Sequence, residues 1–134
     1  MKIFIDTNIM FSSMLFPDST PAKAILKAVS LPNTAITSNY CINELDRSFL
    51  EKFPNKIETL NNFHLFIFAY MEIVNESENV SELEELVSDP EDRPVLRAAL
   101  ECNADVLITG DKHFLESRIT SLEIISASDF LNSK

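Results

Sequence analysis

Short apolar runs alternate along the chain with segments of helical periodicity. The run Lys2–Ile5 (KIFI) is apolar and β-branched, which predicts a short buried strand. We predict further strands at Thr34–Thr37, Asp105–Thr109 and Leu122–Ser126. Short, nearly all-apolar strands that alternate with helices are typical of a parallel sheet covered on both faces. The pattern therefore predicts an α/β fold with a short parallel sheet and helices on both of its faces.

Helix signals fill the intervals between these strands. Pro21 suits the first turn of one helix, and Ser38 can cap a second. Pro94 stands near the start of another helix, and residues 127–133 predict a short terminal one. We predict one long helix over Ile57–Ile73, buried because its second half is almost apolar all round. The residues between the first strand and Pro21 are predicted to form a loop.

Length and composition favour one folded domain without a membrane segment. The chain has 134 residues, 46% of them hydrophobic, which predicts a single domain over residues 1–134. No apolar run approaches the ~18 residues of a membrane span, and Asp6 interrupts the first run too early for a signal peptide. Cys41 and Cys102 lie in apolar-periodic surroundings, which favours two reduced core thiols. We therefore expect a cytoplasmic protein.

The charge of the chain is strongly acidic and unevenly distributed. A formal net charge of −10 argues against passive binding of nucleic acid, because phosphate contacts require positive charge. The segment from Glu72 to Asp92 carries many acids and no Lys or Arg, and most of it is expected to be a solvated face or loop. Asp89, Glu91 and Asp92 crowd together just before a predicted helix. Taken alone, they are most simply explained as a capping cluster.

Two aspartates follow predicted strands. Asp6 comes directly after the first strand, and Asp111 follows the third after Gly110, the only glycine of the chain. Because the C-terminal ends of parallel strands share one edge of a sheet, both aspartates should face the same crevice. The glycine would permit a sharp exit from the strand, with a close backbone approach to a ligand or a positive φ.

Polar neighbours could complete a metal site in that crevice. Thr7 and Asn8 follow Asp6, and Thr109 precedes the glycine, so that short side chains could orient a carboxylate or a water. Glu44 lies at the border of an apolar helical stripe, where a surface role is the usual one. Several carboxylates in one crevice require cations, and oxygen ligands favour Mg²⁺ or Mn²⁺. Two such ions ~3.5–4 Å apart can promote phosphodiester hydrolysis, which would let an acidic protein act on nucleic acid.

The chain contains three blocks, FIDTNIMFSSML, ITSNYCINEL and SDPEDRPVLRAALECNADVLITGDKHFL. In this order and spacing they resemble the PIN-domain nucleases, and among them the VapC-like toxins of prokaryotic toxin–antitoxin pairs. The resemblance extends over essentially the whole chain. A mild departure is the stretch ECNAD, where relatives often carry a glycine.

The resemblance implies both a site and an activity. It implies Mg²⁺- or Mn²⁺-dependent cleavage of single-stranded RNA, a homodimer, and inhibition by a small antitoxin protein. The implied catalytic and metal-binding acids are Asp6, Glu44, Asp92 and Asp111. The implied supporting residues are Asn8, Thr109 and Asp89.

Several basic residues lie close to these acids in sequence. Lys112, Arg93 and Arg97 could contact a substrate phosphate, and for each of them a plain surface charge is an equally good interpretation. For His113 we favour a ring packed beside Phe114 over a role in binding.

Two other functions fit part of the pattern. Aspartate-nucleophile phosphatases of the haloacid dehalogenase type also place an aspartate after the first strand, but they need a second one where this chain has Asn8. The other alternative is a catalytically silent PIN fold that serves as a binding module. Such proteins usually lose one or more acids, whereas this chain has all four.

Overall fold

The structure is a computed structural model that describes residues 1–75 and 78–133. Glu76 in the acidic segment and Lys134 at the end of the predicted domain lie outside the described residues. The strands are β1 (Lys2–Ile5), β2 (Thr34–Ser38), β3 (Met71–Val74), β4 (Val106–Ile108) and β5 (Glu123–Ile125). The helices are α1 (Thr7–Leu15), α2 (Thr20–Val29), α3 (Asn39–Lys52), α4 (Ile57–Tyr70), α5 (Arg93–Glu101), α6 (Lys112–Leu115) and α7 (Ala127–Asn132), with 3₁₀ turns at Glu82–Leu86 and Pro90–Asp92.

The five strands form one parallel sheet in the order β3-β2-β1-β4-β5. Central β1 pairs with β2 through Ile3 and Ala35, and with β4 through Ile3 and Val106. Ile3, Phe4 and Ile5 are all fully buried. Because successive side chains of a strand point to opposite faces, both faces of the sheet are covered. The predicted α/β fold with a parallel sheet is confirmed.

The prediction of one buried helix over Ile57–Ile73 is wrong in two respects. Helix α4 ends at Tyr70, and the chain passes at Met71 into extended backbone and strand β3, which the sequence analysis missed. The helix is also not well buried, since Leu65 is 67% and Phe68 is 65% exposed. An apolar run does not by itself distinguish helix from strand, nor core from exposed face. Neither α4 nor any other helix in the described part of the chain is long and apolar enough to cross a membrane.

The predicted loop after β1 is helix α1. Asp6 has extended backbone and caps this helix, because its side chain accepts a hydrogen bond from the N–H of Thr7. Aspartate is among the preferred N-cap residues, so the signal for a helix start was present in the sequence. The turn from β1 into α1 fixes Asp6 at the C-terminal edge of the sheet.

The departure from the family pattern at ECNAD has a structural counterpart. Asn103 follows the end of α5 and has a φ of 58°, in the left-handed region. Glycine takes this conformation most readily, and asparagine is the residue that replaces it with least strain. The asparagine therefore preserves the turn between α5 and β4.

The cysteines form no disulfide with each other. Cys41 is buried and Cys102 is half-buried, and both are free. Burial raises the pKa of the Cys41 thiol to about 12, so this side chain is an inert part of the core. This agrees with the prediction of reduced thiols.

Candidate active site

Asp6 is the most deeply held carboxylate of the site. It is 4% exposed and lies at the C-terminal end of β1, where its own N–H donates to the carbonyl of Ile108 in β4 (3.1 Å). Its Oδ1 accepts from the N–H of Thr7 (2.7 Å), and its Oδ2 accepts from the hydroxyl of Thr109 (2.8 Å). One carboxylate oxygen is thus oriented by the first residue of α1, and the other by the residue that follows β4.

The electrostatic environment of Asp6 disfavours its charged form. Burial raises the pKa of this carboxyl to about 6, although the hydrogen bonds from Thr109 and Thr7 act in the opposite direction. The negative charges of Glu44 and Asp111 raise the pKa of Asp6 further. A buried carboxylate with acidic neighbours is stabilised by a cation, which is the usual arrangement in a metal site.

Thr109 connects the acids of β1 and β4. Its side chain is fully buried, and its hydroxyl donates to Asp6 Oδ2 while accepting from the N–H of Asp111 (3.1 Å). The Nδ2 group of Asn8 also lies 3.4 Å from the hydroxyl oxygen and 3.5 Å from Asp6 Oδ2. Both residues therefore hydrogen-bond to the Asp6 carboxylate, and the supporting role that the resemblance implies for them stays a prediction.

Gly110 makes a close approach to Asn8. Its N–H donates to Asn8 Oδ1 (2.8 Å), and a Cβ at this position would lie 3.3 Å from the same oxygen. The expectation of a positive φ is wrong, because this glycine does not adopt one. The tight contact is with a side chain of the site, which explains why a residue without Cβ suits the exit from β4.

Three carboxylates converge beside Asp6. Asp89, Asp92 and Asp111 each offer one oxygen, and these oxygens lie within 4.8 Å of one another. Asp89 begins the 3₁₀ turn that leads into α5, and its Oδ1 accepts from the N–H of Glu91 (2.9 Å). Asp111 caps α6, and its Oδ1 accepts from the N–H groups of His113 (2.9 Å) and Phe114 (3.3 Å). The cluster thus joins the end of β4 to the start of α5.

Asp92 has the least compensated carboxylate. Burial raises its pKa to about 7, and the charges of Asp111, Asp6 and Asp89 contribute in that order. Its Oδ2 is buried and has no hydrogen-bond partner among the described residues. Buried polar atoms normally have a partner, so an orphaned carboxylate oxygen among other acids is well placed for a cation. An all-oxygen donor set of this kind fits Mg²⁺ or Mn²⁺.

Glu44 approaches the site from α3. It is half-buried and lies near enough to Asp6 for its charge to raise the pKa of that residue. With Asp6, Asn8, Ser12, Ser48 and Lys52, among others, it lines a cavity of about 430 Å³ between α1 and α3. Among the residues that the structure describes, the close carboxylate cluster of Asp89, Asp92 and Asp111 does not include Glu44. Glu44 therefore borders the site from the cavity side.

Tyr40 was missed by the sequence analysis. Its hydroxyl donates to the carbonyl of Glu91 (3.1 Å). Burial, followed by the charge of Glu44, raises the pKa of the Tyr40 phenol. This residue lies one helical turn before Glu44, a spacing that places both side chains on one face of α3. The available signal was an aromatic residue four positions before a candidate acid.

The basic residues predicted to contact phosphate have different surroundings. The guanidinium group of Arg97 pairs with Glu84, and that of Arg93 donates to the carbonyl of Val87. Lys112 is exposed beside Asp111. Their contact with phosphate stays a prediction. His113 is exposed, and the expectation that its ring packs beside Phe114 stays a prediction.

The fold is shared with three solved structures. VapBC2 from Rickettsia felis, bound to a promoter DNA fragment, matches with a TM-score of 0.73 at 19% identity, over 94% of this chain and 98% of that one. VapC20 from Mycobacterium tuberculosis, a sarcin-ricin loop cleaving toxin, matches with a TM-score of 0.56 at 14% identity, over 78% and 86%. A PilT N-terminus domain protein from Sulfolobus solfataricus matches with a TM-score of 0.52 at 19% identity, over 98% and 92%. No curated protein sequence matches this chain significantly.

The sequence family of the PIN domain matches residues 2–113. This match includes β1 through β4 and all of the acids that the structure brings to the sheet edge. The resemblance seen in the sequence is thus confirmed: the chain belongs to the PIN-domain family.

Proposed function

We propose that this protein is a Mg²⁺- or Mn²⁺-dependent endoribonuclease that cleaves single-stranded RNA, and that it is the toxin of a toxin–antitoxin pair. The observation that carries the proposal is the convergence of acids from separate segments at one sheet edge. Asp6 and Asp92 in this group have raised pKa values, and Asp92 keeps an orphaned oxygen. Such a site is poorly compensated by the protein alone and suited to divalent cations.

In this proposal, each acid has a defined part. Asp6, Asp92 and Asp111 would hold the ion or ions, with Asp89 beside them, and Glu44 would face the attacking water from the cavity. A bound divalent cation would supply Lewis acidity and positive charge toward a phosphodiester. Thr109 keeps Asp6 in one orientation through its hydrogen bond, so that the carboxylate does not need to reorganise when RNA binds.

The cavity beside Asp6 supports a single-stranded substrate. Its volume of about 430 Å³ lies at the small end of the range for ligand pockets, which suits an unpaired nucleotide better than a duplex. Ser12 and Ser48 line it with hydroxyl groups, and Lys52 adds a positive charge. We propose Lys52 and Lys112 as the phosphate contacts, because both are exposed near the acids.

The relatives support an RNA substrate and a protein inhibitor. VapC20 is described as a toxin that cleaves the sarcin-ricin loop, and the Rickettsia felis structure is a VapBC complex. By extension we propose a small antitoxin as partner, a homodimer, and action in the cytoplasm. The exposed apolar side chains of Leu65 and Phe68, three residues apart on one face of α4, support contact with another protein, because exposed apolar groups on one helix face are often interaction surfaces.

The proposal is tested by incubating purified protein with a mixed-sequence single-stranded RNA in Mn²⁺ or Mg²⁺, against EDTA. We expect cleavage with metal, no cleavage with EDTA, and loss of cleavage in Asp6→Asn and Asp92→Asn. Asp18→Asn is the matched control, because this aspartate is exposed and distant in the chain from the site acids. Equal cleavage by Asp6→Asn would reveal a contaminating nuclease. The absence of any cleavage would favour the binding module instead.

A further inference from the structure

Arg93 and Arg97 both contact the acidic segment that precedes α5. Arg97 Nη2 lies 2.7 Å from Glu84 Oε1, and its Nε donates to Glu84 Oε2 (3.1 Å). Arg93 donates from Nε and Nη2 to the carbonyl of Val87, at 3.3 Å each. The two arginines are one helical turn apart, so they lie on the same face of α5. Together they hold the chain between Glu84 and Val87 against this helix.

The anchored residues are buried, although the segment is rich in acids. Glu84 is only 4% exposed, and Val87 is 1% exposed. The hydrogen bonds from Arg97 hold the pKa of Glu84 below its ordinary value. Glu84 also accepts from the N–H of Ser81 (2.7 Å), which closes a capping box around the first 3₁₀ turn. A buried carboxylate that is paired with a guanidinium group is held in a defined position.

The next stretch of chain carries two acids of the candidate site and is less deeply buried than Glu84 and Val87. None of the residues of the 3₁₀ turn Pro90–Asp92 is buried. The turn is held by the hydrogen bond from the Asp92 N–H to the Asp89 carbonyl (3.0 Å) and by that from Tyr40 to Glu91. The position of Asp89 and Asp92 therefore depends on the Tyr40 contact within the turn, on the anchors at Glu84 and Val87 before it, and on α5 after it.

We infer that Arg93 and Arg97 are positioning residues that clasp the acidic segment and hold Asp89 and Asp92 near Asp111. This inference rests on the proposed function, since the acids must be positioned for a cation. Three carboxylates with oxygens within 4.8 Å repel one another, so a turn without the clasp would relax away from β4. The clasp opposes this repulsion from outside the site.

The pairing with Glu84 also bears on the prediction that Arg97 contacts a substrate phosphate. To contact a phosphate, Arg97 would have to leave Glu84, whose carboxylate is 5% exposed and would remain buried without its partner. Removal of one partner from a buried ion pair is strongly unfavourable. Arg97 is therefore a structural partner of Glu84, and its effect on the site acts through the acidic segment.

The test is the affinity of the purified protein for Mn²⁺, measured by calorimetry without RNA. We expect Arg97→Met to raise the dissociation constant about tenfold or more, the usual effect of removing a partner that orients metal ligands. Arg118→Met is the matched control, because this arginine is exposed and outside the clasp, and its affinity should stay within about twofold of the wild type. Arg97→Lys keeps the charge but loses the paired geometry, and it is the second variant if Arg97→Met fails to fold.

Hydrogen exchange of the Asp92 amide gives a readout besides metal affinity. This N–H is bonded within the turn, and we expect it to exchange faster in the Arg97 variants than in Arg118→Met. Unchanged Mn²⁺ affinity together with lost RNA cleavage would overturn the clasp and indicate a phosphate contact. A wild type that binds no Mn²⁺ would overturn it as well. If the clasp variants lose Mn²⁺ but the wild type cleaves no RNA, the clasp stands and the proposed function fails.

Discussion

At the scale of single residues, Asp6 serves the fold and the candidate site at once. Its Oδ1 caps α1, and its Oδ2 accepts from Thr109 at the end of β4. Both bonds favour the charged form, yet burial is the larger effect and raises the pKa to about 6. Asp6, the N-cap of α1, thus carries a negative charge that the fold alone does not fully compensate.

This balance predicts how the stability of the metal-free protein depends on pH. The pKa of Asp6 is about 6 in the folded state, against an ordinary value of 3.8, so folding disfavours its ionised form. The penalty is absent below about pH 4, grows as the pH rises to about 6, and is complete above that value. We expect metal-free Asp6→Asn to be more stable than the wild type at pH 8, by on the order of 2–3 kcal/mol.

Urea unfolding in EDTA at pH 4 and pH 8 measures this difference. Asparagine keeps an oxygen that can cap α1, so the fold should be retained. The advantage of Asp6→Asn should shrink toward pH 4, where the wild-type carboxyl is protonated in the folded state. A variant that is clearly less stable than the wild type at pH 8 would show that Asp6 is mainly a helix cap.

Thr109 gives a second prediction at this scale. Thr109→Val removes the hydroxyl that donates to Asp6 and accepts from the N–H of Asp111, and it leaves both buried groups without this partner. We expect a loss of about 1–3 kcal/mol in the free energy of unfolding, measured by urea denaturation. Thr120→Val is the control, because Thr120 is exposed and should change the stability by less than about 0.5 kcal/mol. Equal effects of the two substitutions would contradict this account.

The sequence allowed some residues of the site to be predicted and not others. Asp6 and Asp111 follow from strand ends, because parallel strands bring their C-terminal ends to one edge. Tyr40 and the pairing of Glu84 with Arg97 could not be predicted, because they depend on how the acidic segment packs on α3 and α5. Local patterns contain no information about such contacts between distant segments.

At the scale of elements, α4 and β3 show where periodicity stops being informative. The stretch from Phe63 to Met71 is apolar on every side, and it contains an exposed helical face followed directly by an edge strand. Leu60 and Ile67 are buried, whereas Leu65 and Phe68 are exposed. When apolar residues occur on all sides of a helix, the sequence does not indicate which side is buried.

The same helix provides a matched pair of substitutions. Leu60 is 1% exposed and Leu65 is 67% exposed. We expect Leu60→Ala to lower the free energy of unfolding by about 2–5 kcal/mol, as for other buried leucines. Leu65→Ala should change it by less than about 0.5 kcal/mol in dilute protein. Urea denaturation at two protein concentrations checks both, and a large, concentration-dependent effect of Leu65→Ala would instead place this face in a protein interface.

At the scale of the whole molecule, distant segments of the chain bring their acids to one edge of the sheet. The chain as a whole has a formal net charge of −10. Asp6 follows β1, Glu44 lies in the helix after β2, and Asp111 follows β4, while Asp92 stands before α5. The α/β alternation and the strand ends predicted that Asp6 and Asp111 share this edge, whereas Glu44 and Asp92 were implied only by the family resemblance. The edge position of β3 and the helix that follows Asp6 required the structure.

Divalent cations should therefore stabilise the whole fold. A ligand that binds only the native state raises its stability by about 2.7 kcal/mol at one hundred times its dissociation constant. We expect Mn²⁺ or Mg²⁺ to raise the Tm of the wild type and to have a much smaller effect on Asp92→Asn. Thermal unfolding with matched ionic strength checks this, with NaCl as the control for general screening. An equal rise in both proteins would mean that the ions act elsewhere.

The central place of β1 in the sheet has a consequence for biosynthesis. This strand is synthesised before its neighbour β4, which follows in the chain only after β2 and β3. A nascent chain that has not reached Thr109 leaves one side of β1 unpaired and Asp6 Oδ2 without the Thr109 hydroxyl. The acids of the candidate site can then assemble only after β4 has been synthesised. Partial translation products would consequently be inert toward RNA, and the time of activation would be set by the arrival of β4.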